Sequence, residues 1–218
     1  MPFELGRPLG VPGNASFQRK VLLDLISLLE RTDGPFIIDD FPEDAPESED
    51  EVEVLSCPVS YDDQDSNDPD PLKTKFIREI LAMRPWYDMA VKKRERTTVG
   101  GSGMEIGSLG EFLYTFVEGE LPENPRDDVD ISVTLKLAAE DIKSYYVEGV
   151  TSQPGQEDLS SKALNDWFWN KTSAGSLLLE LVRVCSKSDN EMIKMTGSHF
   201  IAPMEVVMKR GVLEEKRS

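Results

Sequence analysis

Histidine and cysteine are scarce in this chain of 218 residues, which contains only His199, Cys57 and Cys185. A metal site built from nitrogen and sulfur ligands needs a cluster of such residues, so the composition predicts none. Two cysteines also do not make the disulfide framework of a small secreted protein. The sequence has neither a run of 18 apolar residues nor an N-terminus of the signal-peptide kind. We therefore expect a cytoplasmic protein that has no membrane partner and no metal or cofactor.

Positive charge is missing from residues 39–71, which contain fourteen aspartates and glutamates and no lysine or arginine. The formal net charge of the whole chain is −17, so the remainder is nearly balanced. Nucleic-acid binding needs clustered cations, and this field repels polyanions, which excludes DNA and RNA as partners. The same field steers basic proteins toward the chain. We predict that residues 39–71 form a long acidic loop.

The apolar pattern predicts a mainly α protein of seven or eight helices packed into a compact, bundle-like domain. We expect an extended N-terminal segment over 1–14 and one helical domain over 15–210, with the acidic insert at 39–71. Residues 211–218 form a tail. Two domains divided loosely near 121–130 are the alternative.

Local signals mark where the predicted helices begin and end. Polar caps and helix-opening prolines are expected to start each helix. Pro85 is expected to end or kink the second helix. Residues 52–55 are the one candidate strand, at a sheet edge. The expected helix starts lie at Asn14 or Ser16, Asp70, Ser102 or Ser108, Asp130, Asp158, Thr172 or Ser173, Asp189 and Pro203.

Three features that suggest chemistry have ordinary explanations. The aspartates at 63–67 match the first ligands of an EF-hand loop, but Asp68 replaces the required glycine and Thr74 the bidentate glutamate. Cys57 lies in a strongly negative field, which disfavours a reactive thiolate. His199 lies in no nucleophile motif. The sequence thus identifies no catalytic residue, and it favours a non-catalytic protein without deciding the question.

The glycine-rich stretch 96–103 is the best candidate binding site. Small residues, two threonines and a cation precede a predicted helix, where backbone N–H groups can hold an anion. The stretch is neither a Walker loop nor a dinucleotide fingerprint. A tight connection in which glycines permit positive φ is the alternative.

Aromatic residues supply the other candidates. Trp86 and Tyr87 follow Pro85 and are candidates to line a pocket or anchor a partner. Closure of the core at a helix kink is the alternative for this pair. In the run Trp167-Phe-Trp169, Trp169 is expected to face a partner when its two predecessors face inward. The complete set of candidate contact residues is Arg84, Trp86, Tyr87, Arg96, Thr97, Thr98, Ser102 and Trp169.

Seven short phrases are distributed over most of the chain. They are Glu4-Leu-Gly-Arg-Pro-Leu-Gly, Phe41-Pro-Glu-Asp-Ala-Pro, Cys57-Pro-Val-Ser, Leu81-Ala-Met-Arg-Pro-Trp-Tyr-Asp, Arg96-Thr-Thr-Val-Gly, Leu137-Ala-Ala-Glu-Asp-Ile-Lys and Thr172-Ser-Ala-Gly-Ser-Leu-Leu. Together they resemble a family of small bacterial proteins of undefined activity, encoded near relatives of the glycine/sarcosine/betaine reductase component B. The resemblance implies an accessory subunit of a reductase-like, multicomponent system and transfers no active-site residue. The long acidic segment departs from the family pattern.

These observations leave three functional hypotheses. The favoured one is an accessory or structural subunit that docks on a larger redox-type enzyme or forms a homo-oligomer. The second is a cofactor-independent enzyme or small-anion binder that uses 96–103, with His199 or Cys57 as an auxiliary group. The third is a regulatory binder of a basic protein through the acidic segment. Salt dependence separates the third from the first, because charge-driven binding weakens with ionic strength.

Overall fold

Helices dominate the computed structural model, which describes residues 9–10, 14–32, 34, 40–43, 70–156 and 159–213. Of those residues 66% are helical and none is in a strand, which confirms the predicted mainly α class. A short 3-10 helix, Leu28–Glu30, follows the first α-helix. The eight α-helices of the described part are α1 Ala15–Ser27, α2 Pro71–Arg94, α3 Ile106–Val117, α4 Ile131–Val150, α5 Ser161–Lys171, α6 Ser173–Cys185, α7 Glu191–His199 and α8 Met204–Lys209.

Several sequence predictions lie outside the described residues. They concern the acidic loop between 44 and 69, the candidate strand at 52–55, the EF-hand-like stretch 63–67 and Cys57. Each of these stays a prediction.

The chain divides into two units, Met1–Glu51 and Val52–Ser218. In the first unit, Phe17 and Val21 of α1 are buried against Phe41. The Phe17 and Phe41 rings meet edge to face, with their centroids 5.9 Å apart. Helix α1 belongs to this smaller unit, and the predicted extent of one helical domain over 15–210 stays a prediction.

The core of the second unit is built around α4, which packs against α2, α3 and α7. Apolar residues recur every three or four positions along α4, so one broad face of the helix is buried. Helix α6 contacts α2, α3, α5 and α7 and closes the other side of the core. The fully buried large side chains of this unit are Phe76, Met83, Leu109, Leu113, Leu135, Ile142, Tyr145, Tyr146, Leu177, Leu178, Leu181 and Ile201.

Local capping chemistry sets most of the helix starts. The side chains of Asn14, Asp70, Asp130 and Thr172 each accept a hydrogen bond from a backbone N–H in the first turn of the next helix, as predicted. Helix α7 is capped by Asn190 rather than by its neighbour, because the Asn190 oxygen reaches two backbone N–H groups of the first turn.

Helix α2 does not end at Pro85, as one of the sequence predictions had it, but runs on to Arg94. A proline within a helix removes one backbone hydrogen bond, which costs about 3 kcal/mol. Two hydroxyl groups bond to carbonyls on either side of the proline. Tyr145 donates to the Ile80 carbonyl at 2.7 Å, and Ser152 donates to the Trp86 carbonyl at 2.6 Å. These tertiary hydrogen bonds hold the helix on either side of the proline.

Candidate functional site

Four of the sequence-predicted site residues meet on one face of α4. Thr97, Thr98 and Ser102 bond to two carboxylates of that helix, Asp141 and Glu148, and Tyr87 joins them through the Thr97 hydroxyl. Residues seven positions apart lie two turns apart on the same helix face. We call this arrangement the clasp, and it comprises residues 97–102 together with Asp141 and Glu148.

Asp141 forms the first half of the clasp. One of its oxygens, Oδ1, accepts the backbone N–H groups of Gly100 and Gly101, both at 2.9 Å. The other, Oδ2, accepts the backbone N–H of Ser102 at 2.9 Å and its hydroxyl at 2.6 Å. Gly100 has φ +119°, which a residue with a side chain rarely adopts. Asp141 is only 2% exposed, so these four donors replace the water that the carboxylate has lost.

Glu148 forms the second half. Its Oε1 accepts the backbone N–H and the hydroxyl of Thr98, both at 2.7 Å. Its Oε2 accepts the Thr97 hydroxyl at 2.9 Å, and the Tyr87 hydroxyl lies 3.0 Å from that same oxygen of Thr97. The clasp therefore ties the loop after α2 to two positions of α4 that lie two helical turns apart.

The clasp bears directly on the small-anion hypothesis. The backbone N–H groups that would hold an external anion are already donated to a carboxylate of the protein itself. The glycines accordingly serve a tight connection between helices. The sequence carried a signal for this, because Asp141 lies on the apolar flank of its helix, and a buried carboxylate needs donors.

Arg84, Trp86 and Arg96 stand apart from the hydrogen bonds of the clasp. Arg84 bonds to the exposed Asp88 at 2.8 Å, and this bond raises the pKa of the guanidinium. Trp86 is half-buried against the core. Arg96 is exposed and makes no ion pair with any described residue.

Trp169 does not face solvent, contrary to the sequence prediction. It is 4% exposed, its ring meets Phe168 edge to face at 5.0 Å, and its indole N–H bonds to Asn165 at 2.8 Å. The end of the fold returns to this helix, since Arg210 donates to the carbonyl of Trp169 at 3.3 Å and to Asn170 at 2.6 Å. All three residues of the aromatic run are therefore buried. The periodicity of α5 alone cannot reveal the contact with Arg210.

Cys185 and His199 lie in contrasting surroundings. Cys185 is buried among the side chains of the core, and burial raises the pKa of its thiol to about 12. His199 is exposed, and its ring packs edge to face on Phe200. Within the described residues no group of three or more histidine, cysteine, aspartate or glutamate side chains could hold a metal ion.

Cys185 is expected to resist alkylation in the folded protein. At pH 8 a thiol with a pKa of about 12 is a thiolate in only about 10⁻⁴ of molecules, and burial blocks access as well. We expect iodoacetamide to modify the Cys185 peptide at least a hundredfold more slowly in buffer than in 6 M guanidinium, as measured by peptide mass spectrometry. Equal rates in the two conditions would show that the thiol is accessible.

A groove of about 420 Å³ lies next to the clasp, between α3 and the segment that precedes α4. Part of its lining is apolar, contributed by a methionine, a phenylalanine and two prolines. Three glutamates and two hydroxyl residues complete it. The lining residues are Met104, Glu105, Ser108, Glu111, Phe112, Thr115, Pro122, Glu123 and Pro125.

Hydrogen bonds fix both walls of the groove. On one side, Met104 follows directly after the clasp, and its backbone N–H donates to the Ser102 hydroxyl at 3.3 Å. On the other side, Arg126 donates to the Gly101 carbonyl at 2.7 Å. Asn124 accepts the Thr134 hydroxyl of α4 at 2.8 Å. The clasp therefore positions the groove.

The glutamates of the groove carry negative charge. Glu105, Glu111 and Glu123 form no ion pair with any described residue. Arg126, the cation nearest in sequence, is bonded to Asp128, which lowers the pKa of that carboxyl. The groove thus combines an apolar lining with three carboxylates that form no ion pair within the described residues. Of these, Glu105 lies close enough to Arg84 to contribute to the raised pKa of that guanidinium.

Comparisons with known proteins yield no relative: no family model matches the chain, and neither a curated protein nor a solved structure does. The resemblance to reductase-associated proteins therefore stays a prediction. Among the described residues no helix combines the length and apolar character needed to span a membrane.

Proposed function

We propose that this protein is a non-catalytic binding subunit that holds a basic, amphipathic segment of a partner protein in the groove beside α3. One observation carries the proposal. Three glutamates line a partly apolar groove and make no ion pair with any described residue. Hydrogen bonds fix the walls of this groove.

The chemistry of the groove defines what would fit it. Its volume of about 420 Å³ lies within the usual range of ligand sites, roughly 300–1,000 Å³. An apolar side chain of the partner would pack on Met104 and Phe112. Lysine or arginine side chains on either side would meet the glutamates, and their long apolar stems would cover the prolines.

The net charge of −17 supports the same class of partner. A strongly negative protein attracts basic segments over a distance, which raises the association rate. The accessory-subunit hypothesis would make the partner part of a reductase-type complex. The groove itself specifies only a basic and partly apolar segment.

The proposal predicts that neutralising the groove weakens binding of a basic peptide about tenfold. The probe is a fluorescein-labelled heptapeptide, Lys-Leu-Arg-Trp-Lys-Leu-Arg, followed by fluorescence anisotropy at 0.15 M salt. The variant is Glu105→Gln, Glu111→Gln and Glu123→Gln in one chain. Each exposed ion pair contributes about 0.5 kcal/mol, and three of them together correspond to about tenfold in affinity.

A variant of equal net charge separates the groove from the general field. Asp166→Asn, Asp189→Asn and Glu205→Gln remove three exposed carboxylates from other elements, none of which forms an ion pair in the described part of the chain. We expect this control to bind the peptide within about twofold of the unmodified protein. Equal losses in the two variants would instead assign binding to the overall charge, as the acidic-segment hypothesis requires.

A further inference from the structure

A chain of four oxidisable aromatic side chains runs through the core of the second unit. Trp167 of α5 lies beside Tyr146 of α4, with the ring centroids 6.2 Å apart. Tyr146 meets Tyr145 edge to face at 6.0 Å, and the ring of Tyr145 lies 4.7 Å from that of Tyr87 on α2. We call these four residues the column. Tryptophan and tyrosine are the aromatic side chains that lose a single electron most readily, so each member of the column can be oxidised.

Hydrogen bonds supply the proton acceptor that oxidation of Tyr146 requires. A tyrosine that loses an electron becomes a strong acid, so it is oxidised readily only where a base within hydrogen-bond reach takes its proton. The Tyr146 hydroxyl donates to Oε2 of Glu79 at 3.0 Å. Burial and the neighbouring Glu79 also raise the pKa of Tyr146, so this phenol keeps its proton until it is oxidised.

Tyr87 has a proton acceptor one hydroxyl away. The Thr97 hydroxyl donates to Oε2 of Glu148 at 2.9 Å. Tyr87 is therefore the donor of its own bond to Thr97, in which the two oxygens lie 3.0 Å apart. A proton that leaves Tyr87 can pass to Thr97 while the Thr97 proton passes to Glu148. The clasp thus provides a base for the tyrosine at this end of the column.

Tyr145 occupies a different setting between these two tyrosines. Its hydroxyl donates to the Ile80 carbonyl at 2.7 Å, and a carbonyl is too weak a base to take the proton of an oxidised phenol. The ring of Tyr145 therefore conducts an electron from Tyr87 to Tyr146 without itself remaining oxidised.

We propose that the column carries single-electron oxidation out of the core, from Trp167 to Tyr87. Trp167, Tyr146 and Tyr145 are at most 5% exposed, whereas Tyr87 is half-buried. The relay begins when a one-electron oxidant of the radical class, such as a carbonate radical, removes an electron from Trp167. The oxidant is thereby reduced to its anion, and Trp167 becomes a radical cation.

Two electron transfers then move the oxidation to Tyr87, each with its proton. Tyr146 first gives an electron to the tryptophan cation and its proton to Glu79, which restores a neutral indole. Tyr87 next gives an electron to the Tyr146 radical through the intervening ring, and Glu79 returns the proton to Tyr146. The proton of Tyr87 moves through the clasp to Glu148. The product is a neutral phenoxyl radical at Tyr87, and the buried residues are again reduced. This activity is independent of the groove.

Laser photoionisation of the tryptophans tests the relay in the full chain. An ultraviolet pulse ejects an electron from a tryptophan whether or not it is buried, and dissolved nitrous oxide with tert-butanol removes the electron and the hydroxyl radical that it forms. Trp86→Phe is the background, which leaves Trp167 and Trp169 as the tryptophans of the chain. Trp169 joins the column at Tyr146 through the ring of Phe168, with centroid distances of 5.0 and 5.7 Å. We expect the absorption of the indolyl radical to decay as that of a phenoxyl radical rises.

Three further variants are made in that background. Tyr146→Phe is expected to abolish the phenoxyl rise and to prolong the indolyl radical, because oxidation stays on Trp167. Tyr87→Phe should keep the rise but leave the radical on Tyr146. The EPR spectrum of samples frozen after the pulse then changes, because ring orientation sets the splitting of a phenoxyl radical. Tyr114→Phe is the control, since this tyrosine also bonds to a carboxylate, that of Asp70, but lies outside the column. It should alter neither readout.

The unmodified protein adds a readout that needs no variant. The phenoxyl rise should be slower in D₂O than in H₂O, because a proton moves with each electron. Equal rates in the two solvents would overturn the assignment of the carboxylates as proton acceptors. Absence of a phenoxyl rise in the Trp86→Phe background, or an undiminished rise in Tyr146→Phe, overturns the relay. An EPR spectrum that Tyr87→Phe leaves unchanged overturns Tyr87 as its end.

Discussion

Replacement of Asp141 by alanine is expected to destabilise the second unit by about 4 kcal/mol, since it leaves buried donors without an acceptor. Three backbone N–H groups and one hydroxyl bond to this carboxylate, which is almost fully buried. Each orphaned donor costs about 1–3 kcal/mol, partly recovered where water enters. Urea unfolding followed by far-UV circular dichroism measures the loss directly.

Two further variants dissect the contribution of Asp141. Ser102→Ala removes a single hydroxyl and should cost about 1 kcal/mol. Asp141→Asn keeps the shape but turns a donor toward the donors of the loop, so its cost should fall between the other two. If alanine at 141 costs less than about 1 kcal/mol, the loop does not depend on this carboxylate.

Replacement of Gly175 by alanine is expected to destabilise the same unit by about 3 kcal/mol or more, through overpacking against backbone. A Cβ at this position would lie 2.2 Å from the Phe168 carbonyl oxygen and 3.0 Å from the Cα of Trp169. Helices α5 and α6 are joined by Thr172 alone, so the two backbones cannot separate without disturbing the cap of α6. Thermal and urea unfolding both report the effect.

Gly107 supplies the matched control for that substitution. It lies in the first turn of α3, and an added Cβ there would have no atom within 4 Å. Alanine at 107 should stabilise the protein by up to about 0.5 kcal/mol, because it restricts the unfolded chain. Equal effects at 107 and 175 would contradict the close approach of α5 and α6.

The parts of this fold that sequence predicts well are those decided within a few residues. The caps at Asp130 and Thr172 follow from side chains that bond to N–H groups of the adjacent turn. Where an outcome depends on distant residues, the sequence misleads. Pro85 lies inside a continuous helix, and hydroxyls from α4 and the loop after it bond to carbonyls on either side of the proline. Trp169 is buried, and its backbone carbonyl accepts a hydrogen bond from Arg210, some forty residues further along.

The candidate site shows the same division. The sequence draws attention to the stretch 96–103, because its composition is unusual locally. It leaves two explanations of the glycines open, an external anion and a tight connection, since the acceptor of the N–H groups lies about forty residues further along. The groove escaped prediction for a similar reason. Its walls come from α3 and from residues 122–125, and neither segment contains a recognisable motif of its own.

The clasp and the groove are structurally linked. The carboxylates of α4 hold the loop, the end of the loop places Met104 and Glu105, and Arg126 ties the opposite wall to that same loop. A preorganised site loses less conformational entropy on binding than a mobile one. The proposed function therefore depends on Asp141 and Glu148, although neither lines the groove.

The central claim is tested most directly by NMR of the ¹⁵N-labelled full chain. The chain is titrated with the heptapeptide Lys-Leu-Arg-Trp-Lys-Leu-Arg without its fluorescein label, and the amide chemical shifts are recorded. The account predicts that amide shifts change chiefly at residues 104–112 and at 123, 124 and 126. It also predicts that these changes vanish in the triple glutamine variant, while the control variant retains them. Shift changes confined to residues 39–71 would contradict the account and would place the basic partner on the acidic segment instead.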